Sequence, residues 1–188
     1  GHTMFLTLGV KAGTISHGQM WAILPQTWLG NLVGSVFVAL LYSWGGGSLL
    51  PVDTSIVHSV ALAKTTAPAT VLFFKGALCN WLVCLAIWMA IRTEGAAKFL
   101  AIWWCLLAFI ASGYEHSVAN MTLFALSWFG HHSEAYTLSG IGHNLLWVTL
   151  GNTLSGVVFM GLGYWYATPK SERPAPAKIN QPEAAANN

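Results

Sequence analysis

The length of its apolar runs constrains this chain more than anything else in it. Residues 21–44 and 141–166 carry no Asp, Glu, Lys or Arg, and residues 71–91 carry one, Lys75. As helices these runs extend about 36, 39 and 32 Å, against a bilayer hydrocarbon core of about 30 Å. Residues 99–129 are equally apolar but interrupted at 113–120, and residues 3–10 reach only about 12 Å, less than half a core. Charged side chains make up 7% of the chain, where a soluble domain carries about 25%. Such a chain cannot clothe itself in polar groups, so its solvent is lipid. In hydrocarbon every backbone group needs an internal partner, and helices provide that. The expected fold is therefore all-α and polytopic, with a transmembrane domain over residues 1–167 and spans at 21–44, 71–91, 99–129 (broken) and 141–166.

The connecting segments are polar. Residues 45–69 hold too many Gly, Pro and polar residues to span, 92–98 and 130–140 read as turns or loops, and the tail 168–188 reads as disordered. If that tail is cytoplasmic, alternation puts Lys11, Arg92, Lys98, Lys170, Arg173 and Lys178 inside, with Lys64 outside and Lys75 in the outer half of the membrane. This positive-inside bias sets the expected orientation. Trp21, Trp44 and Trp165, at span ends, read as interfacial anchors. A net charge of +2 without a basic patch gives nucleic acid nothing to bind. Cys79, Cys84 and Cys105 lie in apolar runs and read as small core residues. The opening "GHTMFLTLGV" has no initiator Met and no signal-peptide pattern, and reads as a cut inside a longer protein.

Two spans echo one another. "LGNLVGSVFVALLYSW" (29–44) recurs loosely as "LGNTLSGVVFMGLGYW" (150–165). The two segments cross in opposite directions, the mark of an inverted repeat. The broken segment 99–129 then expects a twin before Trp21, of which the half-helix 3–10 is the second part.

The interruption holds the chemistry. "ASGYEHSVANM" places Glu115 beside His116, with Ser112, Gly113, Ser117 and Asn120 around them. Small and polar residues permit a helix break, and a break leaves free N–H groups and a positive dipole end that attract an anion. A full imidazolium at mid-membrane is costly. His116 therefore suits hydrogen-bond or proton donation. The plain structural alternative is a polar plug in which Glu115 and His116 pair with each other or with Asn80 and Asn152, the asparagines placed to reach the break. Lys75 either snorkels to headgroups or draws anions into a vestibule. Phe109, just before the break, is a candidate constriction. His131, His132 and Glu134 are a weak metal candidate and read as solvated loop.

Together, "ASGYEHSVANM", "KGALCNWLVCLAIWM", "LGNLVGS" and "VTLGNTLSG" resemble the formate/nitrite transporter family, its nitrite branch in particular, from Gly1 to about Tyr166. The resemblance implies an aquaporin-like inverted repeat of six helices, with helices two and five broken, assembled as homopentamers with one pore per protomer. It implies passage of small weak-acid anions and no catalysis or cofactor. It puts the pore histidine at His116, its neighbouring glutamate at Glu115, bracing asparagines at Asn80 and Asn152, an apolar constriction at Phe109 and an outer lysine at Lys75. Helix one and half of helix two have no counterpart here. The expected function is nitrite transport across a bacterial inner membrane, assisted by protons through His116. Formate or hydrosulfide would suit the same pore. A haem b-binding membrane subunit is a different class that also buries histidines, but it needs two ligands at matched depth.

Overall fold

The computed structural model describes residues 1–47, 56–130 and 132–173, and all their regular structure is helical. In chain order come α1 (His2–Lys11), α2 (His17–Trp44), α3 (Ile56–Thr65), α4 (Ala69–Ala90), α5 (Gly95–Ala111), α6 (Ser117–Phe129), α7 (Leu138–Leu154) and α8 (Gly163–Ala167). A π-helix, Ser155–Leu162, joins α7 to α8 as one continuous rod, and a 3-10 turn follows at Lys170–Glu172. Three helical stretches are long and apolar enough to cross a membrane: His17–Trp44, Ala69–Ala90 and Leu138–Ala167. Helices α5 and α6 are shorter and equally apolar, and together they make the broken segment.

Local sequence explains the boundaries. Helix α2 starts on a capping box: the Gln19 amide donates to Ser16 Oγ at 3.1 Å, and the Ser16 amide donates to Gln19 Oε1 at 2.8 Å. Thr137 caps α7 by accepting from the Gly140 amide. Helix α5 ends at Gly113, whose φ of 62° lies in the left-handed region that glycine adopts without cost.

Within residues 45–69, too polar to span, 56–65 form the ten-residue helix α3. His58, Ala61 and Thr65 are buried along it, so its periodicity is that of a docked amphipathic helix. Residues 48–55, His131 and residues 174–188 lie outside the described residues. Within 168–173, where disorder was expected, the 3-10 turn is held by Arg173, whose guanidinium donates to the Thr168 and Tyr166 carbonyls.

Packing is polar inside and apolar outside. Phe37, Val33, Phe99, Trp103, Trp104 and Ile110 stand exposed, while Asn80, Glu115, Asn120, Asn144 and Asn152 are buried. That distribution fits a lipid solvent. Two apolar clusters flank the polar layer: Met121, Phe124, Tyr136 and Leu145 in one, Met4, Cys84 and Met160 in the other. The three cysteines are free and buried.

The half-helices dock reciprocally. Helix α6 packs on α2, and α1 packs on the π-helix of the last rod. Thr122 donates to Ser35 Oγ at 3.0 Å, while Thr3 sits against Gly156. Ser35 and Gly156 occupy matching positions in the sequence echo, each five residues past the glycine of its Leu-Gly-Asn. Two segments related as an inverted repeat make this kind of crossed pairing.

The tightest contact is between α4 and α7. A Cβ on Gly76 would lie 2.8 Å from the Val148 carbonyl oxygen, and one on Gly151 would run into the carbonyl oxygen of Phe73. Small residues that let backbones touch are how helices pack in lipid. Gly151→Val is therefore expected to force the rods apart at a cost of at least about 3 kcal/mol. The thermal melt in detergent should fall sharply, and size-exclusion chromatography should show loss of the monodisperse species.

Candidate functional site

The break between α5 and α6 runs through residues 112–116. It delivers Glu115 and His116 to one depth, and the structure turns their side chains to different partners. The Glu115 amide donates to the Lys75 carbonyl at 3.4 Å, and its own carbonyl accepts from Asn152 Nδ2 at 3.0 Å. Asn152 Oδ1 accepts from the Ser117 amide at 3.0 Å, and Nδ2 also donates to the Gly76 carbonyl at 2.8 Å. One asparagine thus ties both sides of the break to α4. Asn80 supports it from behind, donating to the Asn152 carbonyl at 2.6 Å and to Thr3 Oγ1 at 3.4 Å.

The Glu115 carboxylate is held by Asn120 of the break and by two groups from other helices, Lys64 and Asn144. Lys64 Nζ donates to Oε1 at 2.7 Å, Asn120 Nδ2 to Oε2 at 2.6 Å and Asn144 Nδ2 to Oε2 at 3.5 Å. Asn144 in turn gives a proton to the Lys64 carbonyl and accepts one from Asn120. The side chains of Lys64 and Glu115 are 18% and 5% exposed, so the pair is largely shielded from water. Its charges cancel locally, and the remaining carboxylate lone pairs are satisfied, the conditions under which a buried pair is tolerated.

The cation paired with Glu115 at the break is Lys64, on α3. Lys75 contributes its backbone carbonyl. Asn80 and Asn152 brace the backbone, and the carboxylate belongs to Asn120 and Asn144. Glu115 and His116 do not pair with each other: the carboxylate is occupied on α3, α6 and α7, while Asn152 takes the Glu115 carbonyl. Lys64 lies in a segment too polar to span. Its signal was its position on a short amphipathic helix with His58 and Ala61.

His116 caps α6. The Ala119 amide donates to its Nδ1 at 3.4 Å. With Nδ1 accepting, the neutral ring carries its proton on Nε2. Among the described residues, Nε2 has no hydrogen-bond partner, so the ring keeps a donor for another molecule. Phe109 lies 6.3 Å away, centroid to centroid, with the rings inclined at 33°. The position therefore combines an apolar ring, an imidazole N–H and the positive end of α6. Elsewhere, His132 stacks on Trp128 with centroids 4.8 Å apart, and no group of three or more potential ligands for a metal occurs among the described residues.

Comparison with known proteins places this geometry. The sequence model described as "Formate/nitrite transporter" matches residues 1–166. The nitrite transporter NirC of Salmonella typhimurium is 98% identical over 188 residues, covering 100% of this chain and 70% of that protein. A solved FNT family ion channel superposes with a TM-score of 0.87 at 98% identity, covering 89% of this chain and 68% of that one. A pentameric formate channel with formate bound superposes with a TM-score of 0.69 at 25% identity, covering 82% and 69%. The chain belongs to the formate/nitrite transporter family.

Removing Lys64 alone strands a buried carboxylate. Lys64→Met is expected to destabilise the protein by about 3–5 kcal/mol, and adding Glu115→Gln should recover most of that. Thermal unfolding of the two single variants and the double variant reads the coupling directly. Additive losses would show that the pair is not coupled.

Proposed function

We propose that this chain forms the larger part of the wall of a nitrite-conducting pore, with His116 as the group that meets the anion. The observation that carries the reading is the Nε2 of His116, without a hydrogen-bond partner among the described residues, at the N-terminus of α6 beside Phe109. A bare anion crossing an apolar constriction loses its hydration, which costs several kcal/mol. The imidazole N–H offsets part of that cost by hydrogen bonding, and the dipole of α6 adds to it. Lys64 cancels the charge of Glu115, so the break presents no net negative field to an approaching anion. Glu115 serves as an anchor that fixes the backbone preceding His116.

A ring that has taken a second proton can pass it to nitrite, so that neutral nitrous acid crosses the collar. The imidazole is then recharged from solution. Proton assistance of this kind makes transport rise as pH falls toward the range in which His116 protonates. Lys75 immediately precedes Gly76, whose carbonyl accepts from Asn152, and would draw anions toward the break from the outer side. As in the pentameric formate channel that it resembles, the chain assembles as a homopentamer. Its membrane is the bacterial inner membrane, with the C-terminus cytoplasmic, and its physiological setting is nitrate assimilation. Formate is the second reading, favoured by the fold shared with a channel that holds formate.

Nitrite uptake into proteoliposomes tests the role of His116. His116→Asn is expected to lower flux at least about tenfold, equivalent to about 1.4 kcal/mol at the barrier, and to flatten its pH dependence. Unchanged flux with an unchanged pH profile would remove His116 from the pathway. Competition of labelled nitrite with formate ranks the two anions.

A further inference from the structure

The end of the molecule away from Lys64 has chemistry of its own. Helices α4 and α7 both start beside α3 (Gly140 against Thr65, for example), so their far ends carry Arg92 and, through α8, Arg173 to the opposite side. There Phe5 and Leu8 of α1, Trp88 of α4 with Arg92 just past its end, Trp165 of α8 and Arg173 beyond it line a pocket of about 360 Å³. Its wall is mostly apolar and its rim is cationic.

Both guanidiniums are positioned by the protein and keep donors to spare. Arg92 lies over the Trp88 ring at 4.1 Å and donates to no protein acceptor among the described residues. Arg173 donates through Nε to the Thr168 carbonyl at 2.9 Å and through Nη2 to the Tyr166 carbonyl at 3.2 Å, leaving Nη1 open. Glu172 borders the same pocket, yet among the described residues the ion pair that forms is Lys64–Glu115. Lys11 adds a third positive charge nearby, 3.3 Å from the Tyr166 hydroxyl.

We propose that this pocket binds an anionic phospholipid. The phosphodiester sits on Arg92 and Arg173, whose planar forks match phosphate oxygens. The glycerol and the first acyl carbons lie on Phe5, Leu8 and Trp88. A free phosphate would have no use for that apolar wall. Basic pockets between helix ends, walled by interfacial tryptophans, are where anionic headgroups are selected.

The full chain, purified in detergent and equilibrated with equal mole fractions of phosphatidylglycerol and phosphatidylcholine, tests this when retained lipid is quantified by mass spectrometry. Phosphatidylglycerol should be retained in excess, each guanidinium contributing about 5-fold. Arg92→Gln/Arg173→Gln should bring the ratio close to one, while Lys98→Gln, a cation outside the pocket, should leave it unchanged. Millimolar inorganic phosphate should not displace the lipid. An undiminished ratio in the double variant overturns the proposal. So does an equal loss in Lys98→Gln, which would mean diffuse surface attraction, or displacement by inorganic phosphate, which would mean an anion site without a lipid. If the double variant is not monodisperse, Arg92→Gln alone carries the same test, with an expected loss of about 5-fold.

Discussion

A helix broken inside hydrocarbon must find a partner for every backbone group that the break releases, and in this chain one asparagine takes a group on each side of the break. Asn152 takes the Ser117 amide and gives to the carbonyls of Glu115 and Gly76. It can do so because α4 and α7 touch backbone to backbone at Gly76 and Gly151, one residue before Asn152. The order of causes runs from two glycines to a close crossing, from the crossing to a placed amide, and from the amide to a stable gap. His116 follows directly on that gap, and among the described residues its Nε2 has no hydrogen-bond partner. The brace behind it, Asn152, is buried.

The polar layer around the gap is balanced in charge as well as in hydrogen bonds. Lys64 reaches Glu115 across 51 positions of sequence, and Asn120 and Asn144 complete the cage. Apolar clusters close the layer on both sides, which keeps its dielectric low and its interactions strong. The pair therefore shapes the gap without drawing a solute's charge to itself.

The spans, the break and the reciprocal half-helices were legible in the sequence, because run length and opposite topology are local signals. Glu115, His116 and Asn152 stood out for the same reason, as polar residues in apolar surroundings. Lys64, Asn120 and Asn144 were harder to assign. Asn120 was visible as part of the break, but its partner was not, since depth on one helix says nothing about rotation toward another. Lys64 was hidden by the glycines and prolines before it, which masked a helix of ten residues. Lys75 stood out as the one charge inside a span. Among the described residues its side chain takes no part in the network, and its carbonyl receives the Glu115 amide.

The π stretch at Ser155–Leu162 bears on how the two echoing segments came to differ. A wider coil accommodates an extra residue without lengthening the rod, and so rotates everything beyond it relative to a regular helix. Asn152, ahead of the stretch, addresses the gap, while Gly156 and Gly161 within it receive Thr3 and Thr7. Helix α2 carries the matching letters at a regular pitch throughout. The two copies thus share an alphabet but not a phase: the same letters, wound differently, present different neighbours to the half-helix that docks on each.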